Sequence, residues 1–433
     1  MNILFRLTQT FLFLIPFQVA ISPIIGIDLP FSRILSLVLF GIYIVIGLSE
    51  RKLKILFSWE ALFLGLFLFF SILSIFWAEN IPWALRRSLF FLSFLPLFPV
   101  FTSLLEEIPD AATRLFRPFV FGAGLAALIG ILEFSAQYIF GVVALYDFWT
   151  RTVLPIFLGD SFASSVAEYP SLLVNIGGST VLRASAFFPD PHMAAFYFGI
   201  AFPVVAYFFL DEKTVQKKVF FGLLGIVILL ADLLTFSRGG YVGLSVGSIS
   251  AIVGYVIRGN STRKRKISLM ILLLLFFFGI CAIAPVRERL MSVFSMEEGS
   301  NIGRMDMYSE AIQNITRQPW GYGLGNYPLV IKPTAGPREP IYAHDLFLDI
   351  ATESGILGAI SFFLAIAVVF RRLLSVRSGI MLAGAASLLI FFSHAIFETP
   401  LYSVHILPIF LLLLALPAGI AGTAVVDGEG LLR

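Results

Sequence analysis

The sequence is poor in charge, in histidine and in cysteine. Of its 433 residues, 13% are charged and four are histidines, whereas soluble domains carry about 25% charged residues. The single cysteine, Cys281, excludes a disulfide within the chain and says little about the compartment. No GxSxG, Walker or HExxH pattern occurs, so nothing supports a soluble hydrolase or an NTPase. Internal repeats of roughly 20–50 residues are also absent.

Apolar residues dominate the composition of the chain. They make up 58% of the chain, and 47 residues are phenylalanines. Since a bilayer core of about 30 Å takes about 20 apolar residues per helix, the chain can supply about 12 spans. We therefore predict an all-α integral membrane protein, with residues 1–433 as a single polytopic domain. The predicted spans are Phe5–Ile25, Phe31–Leu48, Ile55–Trp77, Ser88–Leu105, Phe119–Val143, His192–Leu210, Val219–Thr235, Gly240–Ile257, Ile267–Pro285, His344–Phe370, Gly379–Phe397 and Val404–Ile420.

Lysine and arginine in the short loops indicate the orientation. With both termini in the cytoplasm, four basic loops lie on the cytoplasmic side, at 49–54, 211–218, 258–266 and 371–377. Two long loops, at about 144–191 and 286–343, then lie outside, and the second is a large, partly helical loop between helices 9 and 10. Ten arginines lie on the outer side against the rule: Arg86, Arg87, Arg151, Arg183, Arg238, Arg287, Arg289, Arg304, Arg317 and Arg338. Because topology does not favour arginines there, we expect another role for them.

The longest polar interval of the chain runs from Gly303 to Gly358. Apolar residues at 302, 305, 308, 312 and 315 predict an amphipathic helix that ends at Gln318. The Gly-rich turn that follows contains Gly321 and Gly323, whose small size lets backbone N–H groups approach a ligand. A further helix is predicted from about His344, with Asp345, Asp349 and Glu353 as one acidic stripe.

Three of the outer arginines are candidates for an anion site. Arg238 lies in SRGG at a predicted helix start, where glycines and the helix dipole favour an anion. Arg304 begins the amphipathic helix, where the dipole disfavours a cation and so favours an anionic partner. Arg183 precedes a helix that Asp190 is suited to cap. Each arginine also has a purely structural alternative. Arg238 could snorkel at a helix end, Arg304 could form a salt bridge with Asp306 or Glu310, and Arg183 could pair with Asp190.

His344 is the candidate general base. It follows a long polar loop and opens an apolar helix, and its near-neutral pKa suits proton transfer. The alternative is a purely structural histidine. His394 and His405 flank Glu398 at another outer boundary, but this spacing has no known metal-ligand signature. We therefore expect neither a metal nor a cofactor.

These segments resemble the O-antigen ligase/polymerase superfamily of bacterial membrane glycosyltransferases. The resemblance rests on Arg304, on QPWGYGLGNY and AHDLFLDIATESGILG, on TFSRGGYVGL around Arg238 and on Arg183; together they lie within about 183–358. Asp345 departs from the family pattern, in which asparagine is usual. The resemblance implies an undecaprenyl-diphosphate-linked glycan donor, a glycan or lipid A–core acceptor, and a site on the periplasmic face of the inner membrane.

Within this resemblance, we expect Arg238, Arg304 and Arg183 to bind the diphosphate while His344 activates the acceptor hydroxyl. Gly321, Gly323 and Asp345 would support the site. Displacement at the anomeric carbon, without a metal, would invert its configuration. We favour a ligase, which uses lipid A–core, over a polymerase that joins lipid-linked repeat units. The alternative from another class is a flippase for the same lipid-linked glycan. Membrane lipids are expected partners and nucleic acid is not.

Overall fold

The computed structural model describes residues 1–24, 26–51, 58–169, 171–258, 284–291, 299–336, 339 and 341–420. Most of these residues are helical. The helices are α1 (Asn2–Leu14), α2 (Phe31–Ser49), α3 (Trp59–Leu73), α4 (Ile81–Phe94), α5 (Leu97–Glu107), α6 (Ala111–Phe140), α7 (Val142–Phe148), α8 (Leu154–Leu158), α9 (Asp160–Glu168), α10 (Pro191–Asp211), α11 (Val215–Leu234), α12 (Arg238–Arg258), α13 (Ala284–Met291), α14 (Gly299–Arg317), α15 (Tyr327–Ile331), α16 (Leu346–Ser375), α17 (Gly379–Ala395) and α18 (Ile406–Ala415). The strands are β1 (Ala20–Ile24), β2 (Ile27–Pro30), β3 (Leu173–Ile176) and β4 (Ser179–Leu182).

Length and hydropathy identify the helices that can cross a membrane. In the described part of the chain, seven helical segments qualify: Phe31–Ser49, Trp59–Trp77, Ile81–Glu107, Ala111–Phe140, Pro191–Asp211, Arg238–Ile257 and Leu346–Ser375. Shorter apolar helices are Asn2–Phe17, Gly379–Ala395 and Ile406–Gly419. A helical, multi-pass membrane protein is therefore confirmed. The count of twelve stays a prediction, because most of the predicted span Ile267–Pro285 lies outside the described residues.

Two antiparallel hairpins depart from the all-α prediction. The predicted first span Phe5–Ile25 was wrong at its end, because a turn of 3-10 helix around Pro16 ends the helical segment at Phe17. The chain then forms β1 and β2, which pair with Ala20 opposite Pro30. The second hairpin joins β3 to β4 through two glycines with positive φ, the backbone that tight hairpin turns require.

Close helix packing brings the predicted site segments together. Helix α12 packs on α17 along a stripe of glycines. At Gly243, a Cβ atom would lie 2.8 Å from the carbonyl oxygen of Ile390, so only glycine allows this approach. The first residue of α12, Arg238, is thereby held beside the last turn of α17. Helix α16 packs along α3, and α10 lies between α11 and α17.

The two ends of the bundle differ in character. One end, here called the loop end, gathers both hairpins, α7–α9, α14, α15 and the segments before α12, α16 and α18. Contacts across distant segments hold it together, such as Gly26 N to Ser161 Oγ at 3.0 Å and Asn80 N to Asn326 Oδ1 at 2.6 Å. The opposite end, here called the basic end, carries the described parts of the predicted cytoplasmic loops.

Candidate active site

Helix α16 is interrupted at Gly355, beside the Gly-rich turn of the loop end. Gly355 has a non-helical backbone (φ 81°), so the preceding carbonyl groups leave the helical hydrogen-bond pattern. The Gly-rich turn supplies a hydrogen-bond donor to one of these carbonyl groups: Gly323 N donates to the Glu353 carbonyl oxygen at 3.0 Å. Gly321 has φ 87°, and a Cβ there would lie 2.5 Å from that same oxygen. The turn that we expected to approach a ligand thus donates this N–H group to the protein, and it acts as a brace.

The residues after this turn lead into α16 at His344. The helix begins at Leu346, two residues later than predicted, because Asp345 is its N-cap. The Asp345 carboxylate accepts from the N–H groups of Phe347 and Leu348, both at 2.9 Å. Burial raises the pKa of this carboxyl. Asp345 therefore holds the helix start next to His344.

Asp349 connects the His344 segment to the segment between α17 and α18. Its side chain is buried and accepts a hydrogen bond from Ala343 N at 2.7 Å. It also accepts from the Thr399 hydroxyl. Since Ala343 precedes His344 and Thr399 follows Glu398, one carboxylate joins the two segments that carry these residues.

Glu398 is the point at which the candidate residues meet. Its Oε2 lies 3.1 Å from His344 Nδ1, and its Oε1 lies 3.4 Å from an Arg304 guanidinium nitrogen. His192 Nε2 is 3.8 Å from Oε1. His344 and Arg304, both selected from the sequence, are thus brought together by a residue that was considered only as a metal ligand.

The charges in this cluster shift one another. Burial alone raises the pKa of a carboxyl, yet His192, His344 and Arg304 hold the pKa of Glu398 well below its usual range. Burial alone lowers the pKa of an imidazole, but the charge and hydrogen bond of Glu398 raise the pKa of His344 above its usual value. Because an ionised carboxylate can only accept, Nδ1 of His344 carries the proton between them, and Nε2 is the free nitrogen of the neutral ring.

Arg304 lies on α14, within the predicted amphipathic helix. The helix begins at Gly299, so Arg304 is in its second turn, and the expected conflict with the dipole at the first turn was wrong. Tyr308, one turn further on, donates to the Ile396 carbonyl oxygen at 2.6 Å and so docks the helix beside Glu398. The ion pair of Arg304 is with Glu398, and neither Asp306 nor Glu310 takes that place.

Arg183 is almost fully buried, at 4% exposure. Its Nε donates to the Thr235 carbonyl oxygen at 2.6 Å and its Nη1 to that of Ser171 at 3.0 Å, while the described residues offer no partner for Nη2. Burial and the positive charge of Arg289 lower the pKa of the guanidinium to about 10, against the opposing charges of Asp190 and Glu398. Arg183 is therefore within electrostatic range of both Arg289 and Glu398.

Asp190 caps α10, as predicted. Its Oδ1 accepts from the N–H groups of His192 and Met193, at 2.8 and 2.9 Å. Burial and the nearby Glu398 raise the pKa of Asp190 to about 6. The cap thus sets the position of His192, whose ring faces Glu398.

Arg238 is the first residue of α12 and is buried, at 5% exposure, so it does not snorkel into water. The residue before it, Ser237, has its Oγ 2.9 Å from His192 Nδ1 and 3.2 Å from His394 Nε2. A Cβ on Gly239 would lie 2.5 Å from the His394 ring. The start of α12 is thereby joined through His192 to Glu398.

Backbone strain is concentrated around this cluster. Five described non-glycine residues have positive φ, and three of them, Ala186, Phe236 and His344, are in segments that carry the site. Each such residue costs on the order of 1 kcal/mol or more, and contacts nearby must hold it. Glu133 of α6 holds the strained backbone at Ala186, because it accepts from the N–H groups of Ser185 and Ala186 and from the Ser185 hydroxyl.

The three residues considered for a metal do not assemble. His405 is buried against Phe188, with ring centroids 4.8 Å apart, and neither ring nitrogen has a hydrogen-bond partner among the described residues. Burial lowers its pKa to about 3. Across the described ranges, no group of three or more His, Cys, Asp or Glu side chains is arranged to hold a metal ion.

Sequence comparison bears on the same residues. A family model described as O-antigen ligase matches residues 223–363, about a third of the chain. The match includes Arg238, Arg304, the Gly-rich turn and His344, and it confirms the resemblance drawn from those motifs. Arg183 and Glu398 lie outside it. Among curated proteins, none matches the chain.

Proposed function

We propose that this member of the O-antigen ligase superfamily is a glycosyltransferase that moves a glycan from undecaprenyl diphosphate onto a sugar hydroxyl of lipid A–core. The observation that carries the proposal is the meeting of Arg304 and His344, 40 residues apart in the chain, at the buried carboxylate of Glu398. An imidazole with a carboxylate partner suits proton abstraction, and neighbouring guanidinium groups suit a phosphate-containing donor.

The arginines would bind the donor's diphosphate. Arg183 supports this step best, because a buried N–H group without a partner costs free energy that an anionic ligand would recover. Arg304 and Arg238 would add charge from helices α14 and α12. Diphosphate is already a good leaving group, so it needs neutralisation of charge more than it needs an acid.

His344 would act on the acceptor. Its Nε2 takes the proton of the sugar hydroxyl, while Nδ1–H donates to Glu398, which stabilises the imidazolium that forms. The acceptor oxygen then forms a bond to the anomeric carbon, and the bond from that carbon to the diphosphate oxygen breaks with its electron pair. Attack and departure on opposite faces invert the anomeric configuration, without a metal.

The orientation in this proposal places the loop end on the periplasmic side of a bacterial inner membrane. It is supported by lysines and arginines at the basic end, including Lys213, Lys217 and Lys218 in the turn around the start of α11. A lipid-linked donor would then reach the site from the outer leaflet.

The same chemistry serves a polymerase, and the acceptor distinguishes the two. We favour the ligase because the sequence predicts a single compact outer loop late in the chain, followed by His344. The test is transfer by the purified protein in nanodiscs, with lipid-linked donor and either lipid A–core or a second lipid-linked glycan. We expect product with lipid A–core; product only with the second glycan would make the protein a polymerase. Movement of the donor across the bilayer with no new glycosidic bond would make it a transporter.

A pair of arginine variants tests the diphosphate site. Arg304→Ala should raise the KM for the donor by roughly tenfold or more, since a charge-assisted contact contributes about 1.5–3 kcal/mol. The matched control is Arg117→Ala, which removes an arginine paired with Glu212 at 3.0 Å at the basic end. An unchanged donor KM in Arg304→Ala would remove Arg304 from the site.

A further inference from the structure

A cavity at the loop end shares no lining residue with the Glu398 cluster. It has a volume of about 690 Å³, within the range of about 300–1,000 Å³ typical of small-molecule sites. Four separate segments line it: the β1–β2 hairpin, α4 through Arg86, α9 with Tyr169, and the loop at Gly336 and Glu339. We call this cavity the serine cleft, after the serines of its lining.

Helix α9 supplies most of the polar wall. Six residues in two adjacent rows face the cleft, with a spacing of four residues within each row. One row is Asp160, Ser164 and Glu168, and the other is Ser161, Ser165 and Tyr169. The opposite face of the helix is apolar, with Ala163 and Val166 packed in a small core beneath α7 and α8. Such a helix is held by its apolar side and presents hydroxyl, carboxylate and phenol groups to the cavity.

The cleft is a built structure, since hydrogen bonds join its walls. Ser22 Oγ accepts from Asp160 N at 2.9 Å and donates to Asp28 Oδ1 at 2.8 Å. Asp28 also accepts from Ser161 N at 3.3 Å. Gly159 makes this approach possible, because a Cβ there would lie 2.5 Å from the Asp28 carboxylate. The hairpin and α9 therefore form one rigid corner.

The charge of the lining disfavours an anionic ligand as the natural occupant. Three carboxylates, of Asp160, Glu168 and Glu339, face one guanidinium, that of Arg86. Lys332 pairs with Glu339 at 2.9 Å from outside the lining. Phosphate or diphosphate would meet repulsion here, in contrast to the arginine-rich Glu398 cluster. A neutral ligand with many hydroxyl groups can donate to the carboxylates and serines and accept from the arginine.

We propose that the serine cleft binds the sugar chain of one of the two substrates, as a subsite separate from the one that performs transfer. Only one part of this inference rests on the proposed function, namely that the bound sugar chain belongs to a substrate. The phenol ring of Tyr169 offers an apolar face to a sugar ring, and the carboxylates and hydroxyls hold its hydroxyl groups.

Two segments that line the cleft are close in sequence to residues of the candidate active site. Glu339 of the lining and His344 are five residues apart, so their Cα atoms are at most about 18 Å apart. Tyr169 is two residues from Ser171, whose carbonyl oxygen accepts from Arg183. A short oligosaccharide in the cleft can therefore reach the reacting centre.

The test compares two tryptophan variants of α9 in the full-length protein in nanodiscs. Ser164→Trp fills the cleft from an exposed position, and Phe162→Trp adds the same ring at an exposed position outside the lining. Two probes are used: the oligosaccharide released by mild acid from the cell's lipid-linked pool, and the core oligosaccharide released from its lipopolysaccharide. Binding is measured by saturation-transfer NMR, with inorganic pyrophosphate as competitor for the arginine site.

We expect one probe to bind the wild type and Phe162→Trp equally, and to bind Ser164→Trp roughly tenfold or more weakly. Pyrophosphate should not displace it, and the probe that binds identifies donor or acceptor. Binding by neither probe, equal binding by Ser164→Trp, or displacement by pyrophosphate would overturn the subsite. Transfer is measured on the same samples: binding in the cleft without any transfer contradicts the proposed function alone.

Discussion

Replacing Glu398 by glutamine removes the charge that His344 and Arg304 share, while it keeps the size of the side chain and an oxygen that can accept. The Glu398–His344 contact is 3.1 Å. Two unit charges at that distance interact by about 5 kcal/mol at an effective dielectric constant of about 20. Part of this is lost to screening, because the His344 side chain is 25% exposed.

The remaining effect is set by what general-base catalysis contributes. Such catalysis accounts for about 10²- to 10⁴-fold in rate, and glutamine still orients the ring. We therefore expect Glu398→Gln to lower kcat by about 100- to 1,000-fold, which is about 3–4 kcal/mol. Donor KM should change less, because Arg304 keeps its charge.

The pH profile gives an independent readout. His344 works as a base only when neutral, so kcat/KM rises as pH passes through its pKa. Glu398 raises that pKa, and burial alone would lower it. In Glu398→Gln the rise should therefore move to lower pH. Initial transfer rates at saturating donor and a range of acceptor concentrations, across a pH range that spans histidine titration, give kcat and kcat/KM and so measure both effects.

The matched control is Glu212→Gln at the basic end. The two glutamates have nearly equal side-chain exposure, 13% for Glu212 and 14% for Glu398, and both pair with an arginine. Glu212→Gln should transfer at the wild-type rate. A wild-type rate and profile in Glu398→Gln, or an equal loss in Glu212→Gln, would refute the assignment of Glu398 as partner of the base.

Three further changes separate structural from chemical roles. Gly321→Ala should lower thermal stability by about 1–3 kcal/mol, measured by thermal unfolding in detergent, because its φ is 87° and a Cβ would meet the Glu353 carbonyl; an unchanged melting temperature would contradict the bracing role. His405→Phe should keep full transfer activity, since no contact among the described residues links the His405 ring to Glu398, and a large loss would contradict this. Asp190→Asn keeps a good N-cap and removes a group whose pKa is raised to about 6. Because that group stabilises the wild type only while protonated, the wild type should lose stability relative to Asp190→Asn as pH rises through about 6, and parallel pH profiles would contradict this.

The parts of the site that the sequence revealed are local in the chain. The 3.6-residue period marks α14 from its own residues, and Asp190 is recognisable as a cap because it lies immediately before the helix it serves. His344 stands out because a polar loop and an apolar helix meet there. Each of these signals is contained within about one or two helical turns, which is the range over which helix physics acts.

The parts that could not be predicted depend on contacts between distant segments. Glu398 has a weak local signal, two flanking histidines at a span boundary, and because this spacing has no known metal-ligand signature the sequence assigned Glu398 no role. Its partner His344 is 54 residues away, and only the packing of α16 and α17 with the intervening loops brings the two together. The β1–β2 hairpin was missed because its isoleucines extend an apolar run, and only the 3-10 turn around Pro16 ends the helix there.

The most direct test of the proposed mechanism is the rate of a single turnover by His344→Ala at saturating lipid-linked donor. Because Arg183, Arg238 and Arg304 are untouched, donor affinity should match the wild type, while the transfer rate should fall by about 100-fold or more. Full transfer by His344→Ala would show that this imidazole does not activate the acceptor, and the central claim would be wrong.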